Sequence, residues 1–295
     1  MTLSPRRIGS YTVAPIGLGA MPLSFGGERV RSDAEADATI HAALDAGVTL
    51  IDTADIYAPA WDHMGHNERL VARALANYDG DTSAVKVATK AGITRSEGEA
   101  WGRNSAPEYL RRRLELALVA LGRDQIDLFY LHRPDRTRVY STVMETYATF
   151  KQEGLIAEIG ISNANVEEIQ IAIDVLGDGA LAAVQNEFSP RFNHTSKPEL
   201  DFCAKHGIAF LPFSPLGGTG GDAKRVGEKY PVIAEIARAH DVSPQRVTLA
   251  WELAMGDNVI PIPGASRPES IIDSAAAMHL NLSADEVQRI SDAVL

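Results

Sequence analysis

The 295-residue sequence predicts an α/β protein, a closed (β/α)8 barrel of the TIM type. Eight short apolar runs begin at Ile16, Leu50, Val85, Ile126, Ile156, Ala182, Ile208 and Val259, and each is followed by a segment with helical apolar spacing. Strand alternating with helix implies a parallel sheet covered by helices. No linker or composition break divides the chain, so eight such units in this length read as one domain over residues 1–295. A doubly wound open sheet is the runner-up. Gly17 and Gly19 suggest a dinucleotide fingerprint, but the third glycine is missing and Pro22 stands where a helix should begin.

The elements follow in order. Arg7-Ile-Gly-Ser-Tyr-Thr-Val carries a Gly-Ser turn and predicts a short N-terminal hairpin. Ser32-Asp-Ala-Glu35 is a capping box, because the serine can accept from the backbone at Glu35 while the glutamate reaches back. Ile40, Ala43 and Leu44 give the helix it opens an apolar face, and Gly47 ends it. The strand into Asp52 follows, then a helix marked by Leu70, Val71, Ala74 and Leu75, then the strand Val85-Lys-Val-Ala-Thr-Lys90. A polar loop through Trp101 leads to Ser105-Ala-Pro-Glu108, read as a second capping box for a helix that Gly122 stops. Strands at 126–132, 156–162, 182–188 and 208–213 alternate with helices around Val143, at 165–176 and after Ser196. A glycine-rich loop (Gly217, Gly218, Gly220, Gly221) precedes extra helices at 231–240 and 244–255. Ser266-Arg-Pro-Glu269 is expected to cap the last core helix, and Ser283 starts a terminal one.

Composition narrows the function. A net charge of -11 disfavours binding to nucleic acid or an anionic membrane, both of which need a basic face. No apolar run approaches the ~18 residues of a membrane span, and the N-terminus lacks the apolar stretch of a signal peptide. Cys203 is the only cysteine and falls in a helix, which reads as an inert core thiol in a reducing cytoplasm.

In a barrel of this type the active site lies at the C-terminal ends of the strands. Those ends carry Asp52, Lys90, His132, Ser162-Asn163, Gln185 and Phe213-Ser214, with Tyr57 in the loop after the second strand. Alone, each has a blander reading: an Asp after a strand is usually a turn-former, and a Lys or His there a surface or capping group. Together they carry a chemistry. A free tyrosine, at ~10, is a poor acid at neutral pH. A lysine ammonium at its oxygen favours phenolate and lowers that value. Asp52 would hold Lys90, and His132 would orient a carbonyl oxygen or help pass the proton. Tyr57 is then a general acid toward a developing alkoxide, while the hydride comes from a cofactor. His63 and His66 have a metal-like spacing but no third ligand, so no metal is expected. Glu187 with Asp52 as a glycosidase pair leaves Lys90 and Tyr57 unexplained.

With Ile51-Asp-Thr-Ala-Asp-Ile-Tyr57, Lys90 after Ala88-Thr89, Leu131-His132, Gly160-Ile-Ser-Asn163, Phe213-Ser-Pro-Leu216 and Ile262-Pro-Gly-Ala-Ser-Arg267, the chain resembles the aldo-keto reductases nearly end to end. The resemblance implies NADP(H) as preferred cofactor, with NAD(H) second, and a small aldehyde, ketone or alcohol as substrate. It makes Asp52, Tyr57, Lys90 and His132 the catalytic tetrad. Ser162, Asn163 and Gln185 then hold the nicotinamide carboxamide, and the Phe213 ring stacks on the nicotinamide in place of the more frequent tyrosine. The loop from Ser214 through Leu216 and Gly217 to Gly221 wraps the pyrophosphate. Ser266 and Arg267 seat the 2′-phosphate, since a helix start and a guanidinium fork both suit an anion. Asp273-Ser274 stands where family members often have the Glu-Asn that contacts adenine.

Trp61 and Trp101 are expected to wall the substrate pocket. The chain ends soon after its terminal helix, which suggests a site open to varied carbonyls. Leu131-His-Arg-Pro-Asp135 and the Trp101 loop look like the bacterial pyridoxal-reductase-like branch. The alternative from another class is a nucleotide-sensing subunit like the family's potassium-channel β subunits. Oligomeric state is not legible.

Overall fold

Seven parallel strands run in the order β11-β10-β9-β8-β5-β4-β3. They are β3 (Leu18–Gly19), β4 (Leu50–Asp52), β5 (Lys86–Ala91), β8 (Ile126–Leu131), β9 (Ile156–Ser162), β10 (Leu181–Gln185) and β11 (Ala209–Phe210). The computed structural model describes residues 3–25, 31–194, 196–218 and 222–294. The sheet closes through the extended segment 258–264, the expected eighth strand. On one side, Ile260 and Ile262 donate to the carbonyls of Phe210 and Pro212. On the other, Gly17 and Gly19 donate to the carbonyls of Pro261 and Pro263. The two prolines have no N–H to return, so this seam carries isolated bridges rather than a regular ladder. Pro212 likewise cuts β11 to two residues where a strand to 213 was expected.

Period-two alternation decides which side chains enter the barrel. Ile51, Val87, Phe129, Ile159, Ile161 and Val184 point outward into the core shared with the helices. Leu50, Ala88, Leu128, Tyr130, Ala183, Leu211, Ile260 and Ile262 point inward and pack together. Gly160 makes room for this inner cluster, since a Cβ there would sit 2.3 Å from the Tyr130 ring. Continuing the inward parity to the strand ends gives Asp52, Lys90, His132, Ser162, Gln185 and Phe213. One geometric rule therefore collects the polar residues on one rim.

The opposite end is plugged. β1 (Arg6–Ile8) and β2 (Tyr11–Val13) form the expected hairpin around Gly9-Ser10. Its Ile8 and Val13 join the inner cluster, and Ser10 donates to Glu158 through both backbone (2.8 Å) and hydroxyl (2.7 Å).

The outer layer follows the strands: α1 (Asp33–Asp45), α2 (His66–Ala76), α3 (Pro107–Leu121), α4 (Tyr140–Gln152), α5 (Val166–Leu176), α6 (Lys197–Lys205), α9 (Pro244–Leu253) and α10 (Pro268–Ala275). Short α7 (Val226–Lys229), α8 (Pro231–Ala239) and terminal α11 (Ala284–Val294) are additional. Ser32 and Glu35 form the expected capping box. Two expected caps are displaced. Pro107 and Pro268 occupy the first helical position, which suits a residue with no N–H to donate, so the caps are Ala106 and Arg267 rather than Ser105 and Ser266. The polar loop after β5 is also more ordered than expected: β6 (Ile93–Ser96) and β7 (Ala100–Arg103) pair as an antiparallel hairpin.

Candidate active site

Four side chains from three strand ends and one loop meet on the inner rim. Lys90 Nζ, fully buried, donates to Asp52 Oδ1 at 2.5 Å and to the Thr53 carbonyl at 2.9 Å. Its third direction faces the Tyr57 hydroxyl at 3.5 Å. The ring of Tyr57 stands edge-on to that of His132, with centroids 5.8 Å apart and planes at 86°. Gln185 Nε2 donates to the other Asp52 oxygen at 2.7 Å. The loop reaches back because Asp55 N donates to the Lys90 carbonyl and Tyr57 N to that of Ala54.

Burial sets the protonation states. It works against the Lys90 charge, but Asp52 and Tyr57 outweigh it and hold the ammonium above its ordinary range. Burial raises the Asp52 carboxyl, opposed by Lys90 and Gln185. It also raises Tyr57, with Lys90 pulling the other way. This corrects the sequence expectation for the protein alone: Lys90 offsets desolvation of the phenol and does not bring it below its usual value. His132 is pushed well below the ordinary histidine range by burial and then by Lys90 and Arg133, so its imidazole is neutral at physiological pH. Its Nδ1 is buried with no hydrogen-bond partner among the described residues.

A cavity of about 440 Å³ opens beside this group, in the range of small-molecule sites. Asp52, Tyr57 and His132 line it, as do Ser162, Asn163, Gln185, Phe213, Ser214 and Leu216. Asn163 (φ 59°) and Ser214 (φ 52°) both hold a left-handed backbone that non-glycine residues seldom adopt. The Asn163 amide is fixed on the His132 carbonyl at 3.1 Å and on Ser162 Oγ at 3.0 Å. A flat heterocycle with a carboxamide fits this lining, which offers the flat Phe213 ring, strained backbone and amide or hydroxyl groups of both polarities.

Other expected residues fall farther out. Gly217 (φ 92°) is in the loop behind Leu216 but does not line the cavity, and residues 219–221 of that glycine-rich loop lie outside the described residues. Ser266 and Arg267 sit at the start of α10. Arg31 donates to Ser266 Oγ at 3.4 Å, and Arg267 Nε to Ser270 Oγ at 2.9 Å. Asp273 is committed to Ser243 at 2.5 Å and Arg246 at 2.7 Å.

Trp101 lines the cavity, but Trp61 does not. Trp61 is 37% exposed in a short turn whose backbone N–H meets Glu99, so its expected role as a wall is corrected. The second aromatic is instead Phe25, 5.9 Å from Trp101 and 6.5 Å from Tyr57 between centroids. Arg95 lies against Phe25 and Trp101 and is tied to the carbonyls of Ile56 and Ala58. The sequence carried little sign of either residue, because both come from segments without apolar period. His63 and His66 have separate partners, Asp62 and Ser24.

Known proteins resemble the chain over nearly its whole length. A family model described as the Aldo/keto reductase family matches residues 15–294. The chain is 30% identical over 322 residues to "Aldo-keto reductase yakc [NADP(+)]" of Schizosaccharomyces pombe, covering 99% of this chain and 92% of that protein. Among solved structures, a glycerol dehydrogenase from Gluconobacter oxydans superposes with a TM-score of 0.81 at 25% identity, covering 98% of this chain and 94% of the other. An aldo/keto reductase from Klebsiella pneumoniae in complex with NADP and acetate gives 0.80 at 24% identity, covering 100% and 96%, a likeness of fold.

Proposed function

Because the chain belongs to the aldo/keto reductase family, we propose that it is an NADPH-dependent carbonyl reductase, one barrel domain in which Tyr57 is the general acid. The observation that carries the reading is the position of Lys90 Nζ, between Asp52 Oδ1 and the Tyr57 hydroxyl at the wall of the cavity. Ser162, Asn163, Gln185 and Phe213 would hold the nicotinamide. Ser214, Leu216 and Gly217 would hold the pyrophosphate, and Ser266 and Arg267 the 2′-phosphate. The bound nucleotide supplies the hydride, which no side chain can provide.

The remaining chemistry belongs to the chain. Neutral His132 orients the carbonyl oxygen. The Tyr57 hydroxyl gives its proton to that oxygen as negative charge develops there, a step typically worth ~10²–10⁴-fold. Lys90 stabilises the phenolate left behind, and Asp52 keeps Lys90 charged in a site where a lone ammonium would be costly. Run backward, the same groups take the proton from an alcohol. Phe25 and Trp101 make the outer cavity apolar enough for varied carbonyls. The likeness of Leu131-His-Arg-Pro-Asp135 to the pyridoxal-reductase-like branch makes pyridoxal one member of the panel to screen.

The test follows NADPH absorbance against aldehydes and ketones for wild type and Tyr57→Phe. Wild type turns over at least one of them, and Tyr57→Phe loses turnover while still binding nucleotide. Near wild-type rates in the variant would end the assignment of the acid.

A further inference from the structure

Arg133 is the residue after His132, and like Tyr57 it lines the cavity. It is half-buried yet forms no ion pair or hydrogen bond with any described residue. Arg95, which lies against Phe25 and Trp101, differs: it is bound to two carbonyls and to Glu99 at 2.5 Å. We propose that Arg133 seats an anionic group on the substrate, so that the carbonyl compounds this protein prefers carry a carboxylate or a phosphate. The proposal rests on the reductase reading above and names its substrate class.

The charge balance supports it. Arg133 loses part of its charge stabilisation to burial and then to its neighbour Arg103, while Glu187 opposes this only through space. Of these groups only Arg133 lines the cavity, so its guanidinium meets the cavity without a carboxylate of its own. Withdrawing a cation from water without a partner is costly, and a bound anion would relieve that cost. The planar fork of arginine matches a carboxylate or phosphate with two parallel hydrogen bonds. Tyr57 and Arg133 line the same cavity of about 440 Å³, which puts such an anion within one small molecule of the reacting carbonyl. The outer wall, including Phe25, Ile93 and Trp101, offers apolar surface for the part between them.

The experiment uses matched pairs with NADPH: 4-carboxybenzaldehyde against benzaldehyde, and glyceraldehyde 3-phosphate against glyceraldehyde. The wild-type kcat/KM should favour the charged member at least tenfold in one pair or both, and which pair responds identifies the anion. Arg133→Met should abolish that ratio, mainly through KM of the charged member. Arg133→Lys should keep part of it, and added salt should reduce it in wild type. Neutral aldehydes turned over with no charged preference, or a preference that survives in Arg133→Met, would overturn this proposal alone. A wild type inactive on every member would overturn the reductase reading and this one with it.

Discussion

Gln185 donates its amide to Asp52 Oδ2 at 2.7 Å, on the side away from Lys90. A carboxylate only accepts, so the amide nitrogen must face it, and Oε1 is left for a donor in the cavity. Gln185 therefore links two roles: it completes the shell of Asp52 and offers an acceptor to a carboxamide. Gln185→Leu should lose both. A lost hydrogen bond to a charged group corresponds to ~1.5–3 kcal/mol, so kcat/KM should fall roughly ten- to a hundredfold with kcat and the nucleotide KM both affected. Steady-state kinetics with varied NADPH decides it, and a change confined to the nucleotide KM would leave Asp52 independent of Gln185.

The protonation states predict a pH profile. His132 is held neutral by burial and by the cations beside it, so reduction should show no inflection near 6.5, where a free imidazole titrates. Burial keeps the proton on Tyr57, so the acid form persists through neutral pH and reduction should decline only in the alkaline range. Alcohol oxidation, which needs the phenolate, should rise over that same range. The check is kcat against pH in both directions; an inflection near 6.5 that vanishes in His132→Gln would contradict it.

Much of this site was legible in the chain because it obeys a period. Asp52, Lys90, His132, Ser162, Gln185 and Phe213 are inward positions at strand ends, and the apolar alternation before each one points to it. What escaped had no period. Residues 93–103 form a hairpin whose second strand is exposed throughout, so no apolar face marks it. Phe25 and Arg95 become neighbours of Tyr57 through loop geometry. Ser105 and Ser266 carry the letters of a helix cap, but a proline two places on moves the cap by one residue. The direction of the Tyr57 shift was misjudged for a related reason: sequence shows the charged neighbour, while desolvation appears only once the fold has closed.

At the start of α10, Arg267 donates its Nε to Ser270, and Arg31, just before the neighbouring α1, reaches Ser266. Arg267→Ala should raise the NADPH KM by an amount corresponding to ~1.5–3 kcal/mol while sparing NADH. Arg31→Ala should act in the same direction. Equal effects on both nucleotides would show that neither arginine reads the 2′-phosphate.

Glu252 predicts how stability changes with pH. Its residue is 0% exposed on α9, and neither carboxyl oxygen has a partner among the described residues. Burial pushes its carboxyl well above the ordinary range, so the folded chain keeps a proton that the unfolded chain releases above about 4.3. Folding then takes up a proton, and the stability contributed by neutral Glu252 is lost progressively as pH rises beyond that point. Glu68, raised to about 7 by burial and by Asp55, acts with the same sign, but its share is complete once pH passes 7. Glu252→Gln resembles the protonated side chain at every pH. It should match wild type near pH 4.5 and melt several degrees higher at pH 8, at roughly 2–4 °C per kcal/mol. Thermal melts of both proteins across that range test it, and a Tm difference that stays constant with pH would mean that Glu252 is already ionised in the folded chain.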